Sequence, residues 1–132
     1  MSDPLFRLVC APTTLTRSPE GWAVEMLRDG VVAVTADDGG LPAIDDAART
    51  LGTTAISVVR GEASPAEQER TVIAHAGTLA LVWMAPTFST ETQEWARKRG
   101  PMTLLVEVDG ELPADDRRRV ERFVAILSGQ AA

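Results

Sequence analysis

Asp37, Asp38, Arg60, Glu62, Thr87, Asp109 and Glu111 are the side chains with both the chemistry and the placement to meet a ligand. Each follows an apolar run by a residue or a few, and Thr13 and Thr14 hold the same place after the first run. In sheets of parallel strands, ligands bind outside the carboxyl ends of the strands, which is where such residues would gather. Together they form an acidic rim with one arginine. Carboxylates from separate loops can hold a hard divalent cation through oxygen, so Asp38, Glu62 and Asp109 are the metal candidates, with Mg²⁺ the ion they would suit. No cofactor is demanded by any motif. Loops at strand ends are also polar simply because they face water, and that reading competes with the functional one at every position.

Other chemistry is poorly supplied. His75 is the only histidine and falls near the end of a helical stretch, where a surface position interacting with the helix dipole is expected. Cys10 is the only cysteine. It sits in an apolar run and is expected to pack as a small buried hydrophobe, with no internal disulfide and a reducing, cytoplasmic setting. A Cys–His nucleophilic pair would need the two to meet in space, which spacing does not indicate. There is no Gly-rich phosphate loop and no zinc-ligand cluster. The sequence therefore names no catalytic set. Arg117, Arg118, Arg119 and Arg122 form the densest positive charge, but Asp115 and Asp116 precede them, as on a solvated helix face that complements its own dipole.

The elements that must position these residues are marked by apolar runs, caps and glycines. Leu79 to Met84 is six apolar residues with no alternation, bounded by Gly77 and Pro86. Such a strand is buried on both faces, which points to a parallel sheet covered by helices on either side. Leu5–Ala11, Val31–Ala36, Thr54–Val59 and Met102–Val108 read as four further strands. Pro19–Asp29, Pro65–Ala76, Glu91–Arg99 and Pro113–Leu127 read as helices, and Ile44–Leu51 as a short helix, with a strand as the alternative. Ser64-Pro65-Ala66-Glu67 is a capping box with proline at the first helical position, Thr90 to Gln93 is a second candidate box, and Ser18-Pro19 reads as a third helix start. Gly30, Gly52, Gly77, Gly100 and Gly129 each follow a helix-compatible stretch. Trp22, Ala23, Met26, Leu27, Val72, Ile73, Ala76, Trp95, Val120, Phe123, Val124 and Leu127 are expected to face inward, and Trp83 to be buried. Five strand-then-helix units give an α/β fold, a three-layer sandwich with a central, mostly parallel five-stranded sheet.

The 132 residues suit one domain, residues 1–132, large enough for a core without staples. Hydrophobic residues make up 45% and charged residues 24%, as in ordinary globular proteins. The N-terminus has no basic, apolar leader pattern, and no stretch is long enough to cross a membrane. A net charge of −6 opposes nonspecific nucleic-acid binding, so such binding is expected to be weak or absent.

A phosphoacceptor switch of the response-regulator type would need acids after the first and third strands and a lysine after the fifth. Those places hold Ala11-Pro12, Arg60-Gly61 and Asp109-Gly110, and only Thr87 fits. From Thr54 onward the chain instead resembles the core of the Mrr-type restriction endonucleases. The resemblance rests on Ile56 to Gly61, Pro86-Thr87-Phe88-Ser89, Trp95-Ala96 and Leu104 to Leu112, with Asp38-Gly39-Gly40-Leu41 similar to the family's Asp-Gly-Gly-Ile-Asp loop. The family's metal-binding aspartate falls on Pro42, and its Gln and Lys fall on Ser57 and Val59. Asp45 and Asp46 come three and four residues late. The resemblance thus implies a catalytically silent restriction-endonuclease-like domain, a regulatory or protein-interaction module with a protein partner and a possible homodimer. The alternative is a flavodoxin-like small-ligand or metal-binding domain using the acidic rim. An antiparallel pairing of the strands around Val31 and Val59 goes with the first, and five parallel strands go with the second.

Overall fold

The computed structural model describes residues 4–36 and 40–129. Five strands form one sheet: β1 (Phe6–Cys10), β2 (Gly30–Thr35), β3 (Ser57–Val59), β4 (Ala80–Ala85) and β5 (Thr103–Glu107). All four pairings are parallel, and the order across the sheet is β3-β2-β1-β4-β5. The α/β, three-layer architecture is as the sequence indicates. The order is that of doubly wound dinucleotide-binding sheets rather than the 2-1-3-4-5 order of flavodoxin. Val31 and Val59 lie in parallel neighbours, since β2 pairs with β3 through Ala33↔Ser57 and Thr35↔Val59.

Among the described residues six α-helices cover the sheet: α1 (Pro12–Thr16), α2 (Trp22–Met26), α3 (Gly40–Thr50), α4 (Pro65–Ala76), α5 (Thr90–Arg99) and α6 (Ala114–Leu127). Phe6, Leu8 and Cys10 of β1 point to the face packed by Leu15, Ala23, Leu27, Ala47, Val120 and Val124. Val9, Leu81 and Trp83 point to the other face, against Val72, Ala76 and Phe88. So α1, α2, α3 and α6 lie on one side, with α4 and α5 on the other. The crossovers from β1 to β2 to β3 run one way across the sheet, and those from β3 to β4 to β5 run back the other way. Opposite faces are what a single crossover handedness demands of such a path.

Strand β4 is the expected buried centre, with Ala80 to Met84 all buried and Trp83 at 4% exposure. Its ring meets Phe88 edge-on, centroids 5.1 Å apart and planes at 80°. The inward residues expected of α2, α4, α5 and α6 are buried or packed half-buried against the two cores. Ser64 caps α4 as its sequence predicts, accepting from the Glu67 N–H at 3.2 Å.

Several boundaries differ. The stretch after β1, read as a loop, opens with the single-turn helix α1, with Pro12 at its first position. Ser18-Pro19 starts no helix: the Ser18 hydroxyl donates to the Leu15 carbonyl at 2.6 Å, closing α1, and α2 begins at Trp22 after Gly21. The cap of α5 is Ser89, not Thr90, with its hydroxyl accepting from the Thr92 N–H at 3.1 Å. Residues 40–50 are helical throughout, earlier and longer than the sequence indicates. Thr54, Ala55 and Ile56 stay outside β3. Gly30 does not serve a helix end. It lies in β2, where an added Cβ would sit 2.4 Å from the ring of Phe6, so glycine is needed there because two strands bring that ring against the backbone.

Candidate functional site

The chain leaves β1 towards β2 on one side, while β4 continues to β5 on the other. Between β1 and β4 the sheet therefore has its topological switch point, and the loops at their carboxyl ends diverge to opposite faces. A cleft of about 860 Å³ opens there. Its floor includes Val72, Trp83, Met84 and Pro86, and its rim includes Thr13, Thr14, Arg17, Thr35, Glu62, Gln68, Glu69, Thr87 and Asp109. An apolar floor with a few convergent polar groups is the usual composition of a small-molecule site.

The wall on the β3 side is a rigid loop. Glu62 is held by the Arg60 guanidinium, with Nε donating at 2.9 Å, and by the Thr71 hydroxyl. The Thr71 hydrogen bond first, then Arg60, keep the Glu62 carboxyl below its ordinary range. Gln68 closes the same loop through its side-chain amide: its Oε1 accepts from the Glu62 N–H at 3.0 Å, and its Nε2 donates to the Arg60 carbonyl at 3.1 Å. Glu69 ties α4 to the loop after β4, accepting from the Ser89 N–H at 2.8 Å and from its hydroxyl at 2.6 Å. Burial opposes ionisation of Glu69, but the hydrogen bonds from Ser89 and Thr92 outweigh it and lower its pKa. Both carboxylates are therefore held ionised, Glu62 through contacts to its Oε2 and Glu69 through contacts to both oxygens.

The opposite wall is built by α1 and the loop after β5. Gly110 has φ +85°, and an added Cβ would lie 3.1 Å from the Arg17 Nη1. The glycine thus both permits the turn and lets the guanidinium lie against the Asp109-Gly110 backbone. Arg17 makes no ion pair within the described residues, and it is the only cation among those lining the cleft.

Of the expected site residues, Glu62, Thr87 and Asp109 come together in the cleft, along with Thr13 and Thr14. Arg60 is exposed and engaged with Glu62, and Glu111 is exposed outside the cleft lining. Asp37 and Asp38 lie outside the described residues. Among the described residues no group of three His, Cys, Asp or Glu side chains is placed to hold a metal. Glu62, one of the metal candidates, has its Oε2 engaged by Arg60 and Thr71. Sequence reasoning missed Arg17, Thr35, Gln68 and Glu69. The signal for Arg17 was Pro12, a first-position helix residue that turns the chain back over the sheet end.

The other chemical groups are remote from this cleft or inert. Cys10 is fully buried on the opposite face, and burial pushes its thiol up to about 12. His75 is half-buried rather than on the surface, and burial, then the charge of Arg7, lower its pKa. Arg117 donates to the Leu112 carbonyl at 2.8 Å, while Arg118 and Arg119 pair with Asp115 and Asp116, as expected of a solvated helix face. No described helix is long and apolar enough to cross a membrane. In comparisons with known proteins, no family model matches the chain, and no curated protein or solved structure matches it significantly.

Proposed function

We propose that this chain is a small-ligand-binding domain whose cleft at the switch point of the sheet takes a polar molecule bearing an anionic group. The observation that carries this reading is the cleft between β1 and β4, with Arg17 its one lining cation and in no ion pair among the described residues, and with Glu62 Oε2 and Glu69 engaged by neighbouring donors. A guanidinium lining a cleft is a charge-assisted donor suited to carboxylate or phosphate. Threonine hydroxyls on the rim supply neutral hydrogen bonds to the rest of the molecule. The parallel β2–β3 pairing supports this reading over the nuclease-like one.

The test is a thermal-shift panel of mononucleotides, sugar phosphates and dicarboxylates at constant ionic strength. A bound compound raises Tm saturably. Arg17→Ala should weaken it about 10- to 100-fold, the worth of a hydrogen bond to a charged group. Asp109→Asn should leave an anionic ligand bound or tighten it, whereas it would abolish a Mg²⁺-dependent shift if the site held metal. A panel without a saturable response, or a response indifferent to Arg17→Ala, refutes the proposal.

A second reading, a protein-interaction module with a silent nuclease-like site, is supported by different observations. β3 is an edge strand with its outer side unpaired, Val58 is 45% exposed, and an apolar groove of about 780 Å³ lies between α2 and β3. Val59, at the place of the nuclease lysine, is buried, and Pro42 lies in α3 rather than on a strand. This reading expects no DNA cleavage with Mg²⁺ or Mn²⁺. Cleavage lost in Asp45→Ala or Asp46→Ala would contradict it.

A further inference from the structure

The N-terminal edge of the sheet, opposite the cleft, carries a group of basic side chains without acidic partners among the described residues. Arg7 of β1, Leu81 of β4 and Thr103 of β5 lie in register across three adjacent strands. In-register residues of parallel strands point to the same face, here the one covered by α4 and α5. Neighbouring strands are about 4.8 Å apart, so Arg7 and Thr103 are separated by about 10 Å of backbone with Leu81 between them. His75 is in the last turn of α4, and Arg99 is the last residue of α5. Both helices run antiparallel to the strands, which brings their ends over this edge. Arg99 donates from Nη2 to the Leu79 carbonyl, just ahead of β4, and stacks on Trp95 at 4.8 Å.

Four buried polar atoms here make no hydrogen bond within the described residues: Arg7 Nε, His75 Nε2, Arg99 Nη1 and Thr103 Oγ1. These are the only such side-chain atoms among the described residues, and all four belong to this edge. The five ion pairs among the described residues involve Arg49, Arg60, Arg97, Arg118 and Arg119. A chain with 19 acidic residues has thus placed none of the described ones within ion-pair distance of Arg7, His75 or Arg99. The carbonyl ends of α4 and α5 stabilise positive charge here. That accounts for cations at this place, but not for buried donors left unpaired, each of which costs free energy unless something accepts from it.

We propose that Arg7, Arg99, His75 and Thr103 form a second binding site, for a phosphate-type oxyanion, at the N-terminal edge of the sheet beneath the last turns of α4 and α5. The anion accepts from guanidinium N–H groups on two sides and from the threonine hydroxyl, with the imidazole donating from whichever nitrogen carries its proton. This site is independent of the cleft, because it uses the other end of the strands and none of the cleft residues.

The test is titration of the whole chain with inorganic phosphate, a phosphate monoester and sulfate against chloride at constant ionic strength. It is followed by Tm and by the Nε–Hε NMR signals of the arginines. At about ten times Kd, a rise in Tm of about 5 °C is expected. The Arg7 and Arg99 Nε–Hε signals should shift together along one saturation curve. Arg7→Gln and Arg99→Gln should each remove the response, and Arg17→Ala should leave it intact. Free phosphate binding as well as the monoester identifies the anion itself as the ligand, whereas monoester binding alone identifies a larger molecule presenting a phosphate. If a glutamine variant fails to fold, the signals of the unmodified chain still decide the question. No saturable shift of Arg7 and Arg99 up to about 50 mM anion, a range covering even weak binding, or a response lost in Arg17→Ala, overturns the proposal.

Discussion

Trp83→Ala tests the packing on which the cleft rests. Trp83 lies in the central strand at 4% exposure, and its ring is both the partner of Phe88 and part of the cleft floor. Emptying a core aromatic site costs about 3–5 kcal/mol, as transfer and cavity terms add. The edge-on contact with Phe88, at 5.1 Å, accounts for about 0.5–1.5 kcal/mol of that. For a chain of 132 residues, each kcal/mol moves Tm by about 4 °C, so a fall of about 12–20 °C is expected. Urea unfolding followed by circular dichroism should give the same loss at unchanged m. A double-mutant cycle of Trp83→Leu with Phe88→Leu isolates the ring pair. A total loss under about 1 kcal/mol would refute the assignment of Trp83 to the core, because an exposed side chain costs little to remove.

Three further outcomes follow from the packing and the charges. Gly30→Ala should destabilise by about 1–3 kcal/mol through overpacking against Phe6, and Phe6→Leu in the same background should recover part of the loss in urea unfolding. Glu69→Gln should cost about 1 kcal/mol at pH 7, the worth of a lost charge-assisted bond at a half-exposed site. Because the folded carboxyl titrates below its unfolded value, its contribution is complete above about pH 5 and disappears as pH falls through the folded value, so the variant's stability profile should be flatter on the acid side. Cys10 should resist a thiol reagent in the native state and react at once in guanidinium, since burial keeps the thiolate from forming. Fast native labelling would place it at the surface.

The parts of the fold that were legible in the sequence are those where one local rule acts without competition. Leu79 to Met84 reads as a doubly buried strand rather than a short core helix, and Ser64-Pro65-Ala66-Glu67 as a helix start, because both signals are complete within a few residues. The misses are positions where two local rules compete or where a distant residue decides. Ser18 and Ser89 are equally good cap residues by type. Ser18 instead closes α1, and Ser89 takes the cap from Thr90 because Glu69 on another helix fixes its hydroxyl and N–H. Gly30 was legible as a glycine but not as the neighbour of Phe6, which belongs to another strand. His75 was placed on a surface because nothing local shows that Arg7 lies near it. At the cleft, Glu62, Thr87 and Asp109 were found by the rule that strand ends carry the site. Arg17 and Glu69 were not, since neither directly follows a strand and only the switch in strand order brings them to the same opening.

Chemical-shift mapping of the uniformly ¹⁵N-labelled chain with a compound whose thermal shift is lost in Arg17→Ala tests the central claim most directly. If the cleft at the switch point is the binding site, the amides of Thr13, Thr14, Thr87, Asp109 and Gly110 shift together with a single Kd. Saturable binding that leaves Thr13, Thr87 and Gly110 unmoved would contradict the account and place the function on another face of the sheet.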